Sequence, residues 1–229
     1  MRSLEDMPSH SPLHQANIVI HVLFGTAALC LGLIAICSPK RRGLHTRVGL
    51  FFIYAYLVVV TTASLGLLVF EFRSFLAVVT ILSIYDVFAG YRALQLRGRR
   101  PQTLDRLASL IGLLSPWLFI AIMRRLHQPW APALTWSILG GLMVTSGYDL
   151  LRNVLPIRWL ERTWVQEHLL KMMGAYIAIT SAFAGTVFAR YMPWAAIVPS
   201  VLGTVVGWSF VLIGPRAWKR NTRKAFASR

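Results

Sequence analysis

The sequence predicts an all-α integral membrane protein: a bundle of about seven transmembrane helices, with the N-terminus outside and the C-terminus cytoplasmic. Three observations carry this. The 229 residues are 56% hydrophobic and only 14% charged, where a soluble domain carries roughly a quarter charged residues. The apolar residues fall in continuous runs of about 20, the length that crosses a bilayer as a helix. The net charge of +16 comes from 24 Lys and Arg against 8 Asp and Glu, and the cations cluster in the short connections between those runs, as topology-setting charges do.

The runs cover 17–38, 47–70, 73–94, 105–124, 132–151, 167–189 and 194–214. Lipid leaves backbone groups no outside partner, so continuous apolar runs read as helices, whereas a membrane β-barrel requires short alternating segments. The fourth and fifth runs meet at Pro129 and Pro132, which crowd their junction. The first run is long enough to span and has no cleavage signal before it, so it reads as a helix rather than a signal peptide. The whole chain, 1–229, reads as a single transmembrane domain, with residues 215–229 as a basic cytoplasmic tail that is interfacial or disordered.

Short connections make neighbouring spans antiparallel. Five cations (Arg2, Arg73, Arg124, Arg125 and Arg190) then fall on the side of the N-terminus, and the other 19 of the 24 on the opposite side. That bias places the richer side in the cytoplasm. The same cations favour anionic headgroups, so the basic charge implies a lipid bilayer partner rather than nucleic acid. The hinge PKRRGLHTRVG (39–49) lies on that side, and its arginines need no other role. Trp130, Trp159, Trp164, Trp194 and Trp218 fall near span ends, where indole favours the interface. RWLERTW (158–164) reads as a short helix lying on the inner surface. Gly203 and Gly207 form a GxxxG, which permits close packing within the chain or between copies. Cys30 and Cys37 lie seven residues apart on one helix, too far for a disulfide, and read as small core residues.

Ionisable side chains within spans are costly and mark candidate sites. Antiparallel order brings His45, Asp86, Arg92, Asp149, Glu167, His168 and Lys171 to one cytoplasmic-side layer, with Tyr85 and Tyr91 beside Asp86. Asp86 with Arg92 and Asp149 with Arg152 read as charge compensation at helix ends. On the other side, His14, Asn17 and His21 share a face at spacing i, i+3, i+7, with Gly25 following. The chain has no GxSxG, HExxH, P-loop or GxGxxG motif, so nothing in it points to an enzyme.

HVLFGTAAL (21–29), RRGLHTRVGLFF (41–52), YDVFAGYRAL (85–94), EHLLKMMGAYIAITSAF (167–183) and PSVLGTVVGW (199–208) together resemble a group of uncharacterised bacterial multi-pass membrane proteins. The resemblance covers nearly the whole chain. It implies a helical fold in the bacterial inner membrane, recurring positions at His21, His45 and His168, and no particular activity.

The working expectation is cofactor binding. His45 and His168 on different helices suit axial ligation of haem b, with His21 and His127 as an outer pair and quinone as another redox ligand. The candidate contact set is His45, His168, His21, Asp86, Tyr91, Arg92 and Lys171. Two other classes compete. A small-molecule or proton transporter would use the same layer as a relay. An accessory or assembly subunit would use it only for folding.

Overall fold

The computed structural model describes residues 11–39, 43–125, 127 and 132–227. They form seven α-helices and, among the described residues, no strand. The helices are α1 (Pro12–Cys37), α2 (Leu44–Leu65), α3 (Ser74–Leu96), α4 (Thr103–Arg125), α5 (Pro132–Leu151), α6 (Ile157–Val187) and α7 (Trp194–Ala227). A π-helical turn, Gly66–Phe70, extends α2. Six helical segments are long and apolar enough to cross a membrane; α5 has 20 residues. Hinge residues Lys40–Arg42 and Trp130 lie outside the described residues.

The chain divides into two compact units, Met1–Thr80 and Ile81–Arg229, and the boundary falls within α3. Unit 1 is the α1–α2 hairpin with the π turn. Ser11 caps α1, its side chain accepting from the His14 N–H, and Pro12 opens the first turn, where a missing N–H costs nothing. The return to α2 passes through Gly43 at φ +123°, a backbone state that glycine adopts freely. The face His14–Asn17–His21 forms as the spacing predicts, and it is the seam of the hairpin. The His14 ring stacks on Phe70 at 4.3 Å. Asn17 Nδ2 donates to the Thr62 carbonyl at 3.1 Å, and His21 Nδ1 meets Thr62 Oγ1 at 2.9 Å.

Unit 2 holds the remainder of α3 with α4 to α7. Arg97 (φ +47°) and Gly98 (φ +85°) make the α3–α4 turn. A Cβ on Gly98 would lie 2.6 Å from the Glu161 Cα, so this turn sits directly on the first turns of α6. Glycines also set the helix crossings. Gly90 of α3 faces Lys171 and Met172 of α6, Gly174 of α6 faces Asp86 of α3, and Gly112 of α4 faces Tyr85 and Ser146. The GxxxG of α7 is spent inside the chain: Gly203 packs on Ile177 and Gly207 on Met173, both of α6. Close backbone approach through small residues is how helices associate where water supplies no hydrophobic drive.

Three expectations need correction. RWLERTW is not a separate surface helix; it is the first turns of α6, which begins at Ile157 rather than 167. Glu167, His168 and Lys171 therefore lie 10 to 14 residues inside α6, about 15–21 Å along its axis, instead of opening it. Cys30 and Cys37 are free and exposed, not core residues: α1 buries only Asn17, Ala28 and Gly32. α7 continues as helix through the basic tail to Ala227.

Candidate functional site

The packing is inverted relative to a water-soluble bundle. Outward-facing positions are apolar, among them Leu23, Phe51, Leu68, Ile111, Leu118, Val144 and Leu202. The interior of unit 2 holds Asp86, Asp105, Asp149, Arg152, Glu167 and Lys171, each less than 9% exposed. Exposed apolar surface on this scale calls for a covering phase, and buried charges call for partners.

The partners are specific. Asp149, near the end of α5, accepts from Lys171 Nζ at 2.5 Å and from Tyr85 OH at 2.8 Å. Arg152 Nη1 lies 3.7 Å from the same carboxylate, one turn along. Arg152 Nε faces Glu167 Oε2 at 3.1 Å. The other Glu167 oxygen accepts from Tyr148 OH at 2.8 Å and from Thr163 Oγ1 at 2.9 Å. Two acids, two bases and two tyrosines from α3, α5 and α6 thus form one continuous network.

Asp86 stands apart from it. The side chain is 3% exposed, yet its Oδ1 has no hydrogen-bond partner and its carboxylate no cation within 4 Å among the described residues. The charged groups that act on it are Lys171 of α6 and Asp149 of α5. Its expected partner Arg92 is committed elsewhere. Arg92 grips Asp105 with Nε at 2.6 Å and Nη2 at 2.8 Å, and also donates to Gln95 and Gln102. Asp105 in turn caps its own helix by accepting from the Gln102 N–H. This bidentate fork pins the α3–α4 turn. It corrects the Asp86–Arg92 pairing: the partner of Arg92 is Asp105.

A cavity of about 10 Å³ runs from Arg92, Pro101 and Asp105 to Tyr85, Asp149, Arg152 and Lys171. That is room for about one water molecule, and polar side chains line it together with Phe88, Ala89 and Pro101. Tyr91 does not reach the layer. It lines an open recess of about 460 Å³ with Leu94, Gln95, Arg97 and Arg99.

The histidines have structural tasks. His45 Nδ1 lies 3.0 Å from the Ala35 carbonyl, one of the last four of α1 that lack an intrahelical donor. His45 therefore closes the C-terminus of α1 from across the hinge. His168 Nδ1 lies 3.0 Å from the Gly90 carbonyl and ties α6 to α3. Thr62 Oγ1 already donates to Val58 and Val59, so it accepts from His21 Nδ1–H. The Ala35 and Gly90 carbonyls can only accept, so His45 and His168 donate to them through Nδ1–H.

Neither unit by itself brings two histidines to one metal. In unit 1, His21 lies 14 residues from Ala35, hence about 21 Å from the His45 end of α1. In unit 2, His168 is beside Gly90 near the α3–α4 turn, while His127 follows the far end of α4, about 33 Å beyond Asp105. The expected pairs His45–His168 and His21–His127 each join residues of different units. Among the described residues no cluster of three or more His, Cys, Asp or Glu side chains is placed to hold a metal ion.

Sequence reading had not assigned roles to Tyr148 or Asp105. The signals were present: Tyr148 adjoins Asp149, and Asp105 sits three residues after the helix-opening Gln102. No family model matches the chain, and neither a curated protein nor a solved structure is detectably similar to it.

Proposed function

We propose that this chain is a multi-pass inner-membrane protein of bacterial type that moves protons, and that the buried layer of unit 2 is its proton-exchanging site. The cation bias orients it with the N-terminus out and the C-terminus in, so the layer opens toward the cytoplasm through the Arg92–Asp105 end. The carrying observation is a charge count. Among the described residues, Asp86, Asp149 and Glu167 are opposed by the buried cations Lys171 and Arg152; the Arg92–Asp105 pair is neutral by itself. Three carboxylates against two cations leave one negative charge uncompensated in an apolar interior. A bilayer-buried site tolerates that poorly, and a bound proton removes it. The likeness of the sequence motifs to bacterial multi-pass proteins supports the same location.

The test is proton flux in proteoliposomes containing a trapped pH indicator. Under an imposed pH gradient with the membrane potential clamped, the expected result is flux that scales with protein content. Folded protein whose vesicles are as tight as protein-free ones would overturn the reading.

A further inference from the structure

We infer that Asp86 is the residue that holds the exchangeable proton, and that Lys171 is the cation its ionisation recruits from Asp149. This rests on the proton-moving reading and names its site.

The geometry is that of a two-position switch. α3 and α6 cross through two glycines. A Cβ on Gly174 would run into the Asp86 carboxylate, and one on Gly90 would lie 3.3 Å from the Lys171 Cβ. Asp86 and Gly90 are about 6 Å apart along α3, and Lys171 and Gly174 about 4.5 Å apart along α6, roughly one turn in each case. The Lys171 stem therefore leaves α6 one turn from Asp86. Its ammonium ends on Asp149 at 2.5 Å. A four-carbon stem that turns about its own bonds brings the same ammonium within reach of Asp86 without helix movement. Gly174 lets the Asp86 carboxylate pack directly against the α6 backbone.

The surrounding charges agree. On α3 there is Tyr85, bonded to Asp149, and Arg92, held by Asp105 of α4. On α5 there are Tyr148 and Asp149, with Arg152 just beyond its end; on α6, Glu167, His168 and Lys171. Arg152 faces both Asp149 and Glu167 and can hold Asp149 when Lys171 leaves. The segment Trp194–Leu212 of α7 brings no ionisable side chain. Glu167 Oε2 and Asp86 Oδ1 both lack a hydrogen bond, but Glu167 and Asp149 have ion pairs, and among the described residues of the layer Asp86 is the carboxylate without one.

The step balances simply. The Asp86 O–H bond breaks, the proton passes to a water molecule, and the carboxylate keeps the electron pair. Lys171 remains an ammonium throughout and exchanges one carboxylate for the other. The reverse step restores the Lys171–Asp149 pair.

The experiment is infrared difference spectroscopy of the full chain in phosphatidylcholine–phosphatidylglycerol vesicles. The expected result at neutral pH is a protonated-carboxyl C=O band in wild type. It is absent in Asp86→Asn, shifts in Asp86→Glu, and is lost in Asp149→Asn because Lys171 then pairs with Asp86. An unchanged band in Asp86→Asn, or no band in wild type, overturns the proposal. Asparagine mimics the protonated acid in shape and charge, so an Asp86→Asn chain that cannot fold also overturns it.

Flux measured on the same vesicles separates the two claims. An Asp86 band without wild-type flux leaves the protonation site standing and removes proton movement. Wild-type flux undiminished in Asp86→Asn removes Asp86 and leaves proton movement.

Discussion

Replacing Lys171 by Met removes one buried charge while keeping most of the side-chain volume. Lys171 is 4% exposed, and its ammonium is 2.5 Å from Asp149, itself 6% exposed. Without it, Asp149 retains the Tyr85 hydroxyl at 2.8 Å and Arg152 at 3.7 Å. Removing one member of a buried pair costs about 3–5 kcal/mol, because the remaining charge is left uncompensated. The residual partners of Asp149 put the expected loss at the lower end, about 3 kcal/mol. The assay is reversible unfolding in mixed detergent micelles, followed by helical circular dichroism. The diagnostic variant is Lys171→Met with Asp149→Asn, which removes both charges. It should regain most of the lost stability, since a neutral pair of similar shape needs no compensation. A single-variant loss below about 1 kcal/mol, or a double variant no better than the single, would refute the ion-pair reasoning.

Other substitutions test separate parts of the fold. Gly98→Ala combines a φ of +85° with a Cβ placed 2.6 Å from the Glu161 Cα; a loss of about 2–3 kcal/mol is expected, read as a lower unfolding midpoint. Asn17→Ala removes the donor to the Thr62 carbonyl and should cost about 1 kcal/mol, seen as faster amide exchange confined to α1 and α2. His45→Ala removes one of two donors to the Ala35 carbonyl, Ser38 Oγ remaining, and should cost up to about 1 kcal/mol, with amide exchange raised around Ile34–Ser38 and the spectrum of unit 2 unchanged.

Much of the fold was legible because bilayer-length apolar runs and clustered cations are strong, local signals. Six of the helices reach spanning length and apolarity, and the seam of His14, Asn17 and His21 followed from helical spacing alone. The start of α6 was hidden because Arg158, Glu161 and Arg162 lower the apolarity of its first turns; an apolar window detects the stretch that suits lipid, not the helix that contains it. Cys30 and Cys37 were misplaced for a related reason. When the outside of a bundle is lipid, an apolar side chain carries no information about which way it faces.

The layer was visible as residue types but not as pairs. Asp86 and Arg92 lie six residues apart on α3, about 9 Å along its axis and on different faces, and Arg92 turns to Asp105 across the α3–α4 turn. Helical spacing separates the two, but it does not reveal that Asp105 is the partner of Arg92. The role of His45 was likewise out of reach, because the carbonyl it closes belongs to the preceding helix.

The most direct test of the central claim, that the buried layer carries one proton more than its free carboxyls would, is a proton count on unfolding. Wild type and Asp86→Asn are unfolded in detergent at pH 7, and the protons released are measured by potentiometric titration. Taking the difference cancels the histidines. An exposed Asp titrates near pH 4, so a proton held in the folded state is released when the layer opens. The expected difference is about one proton per chain, with wild type releasing more. Equal release from the two proteins would contradict the account.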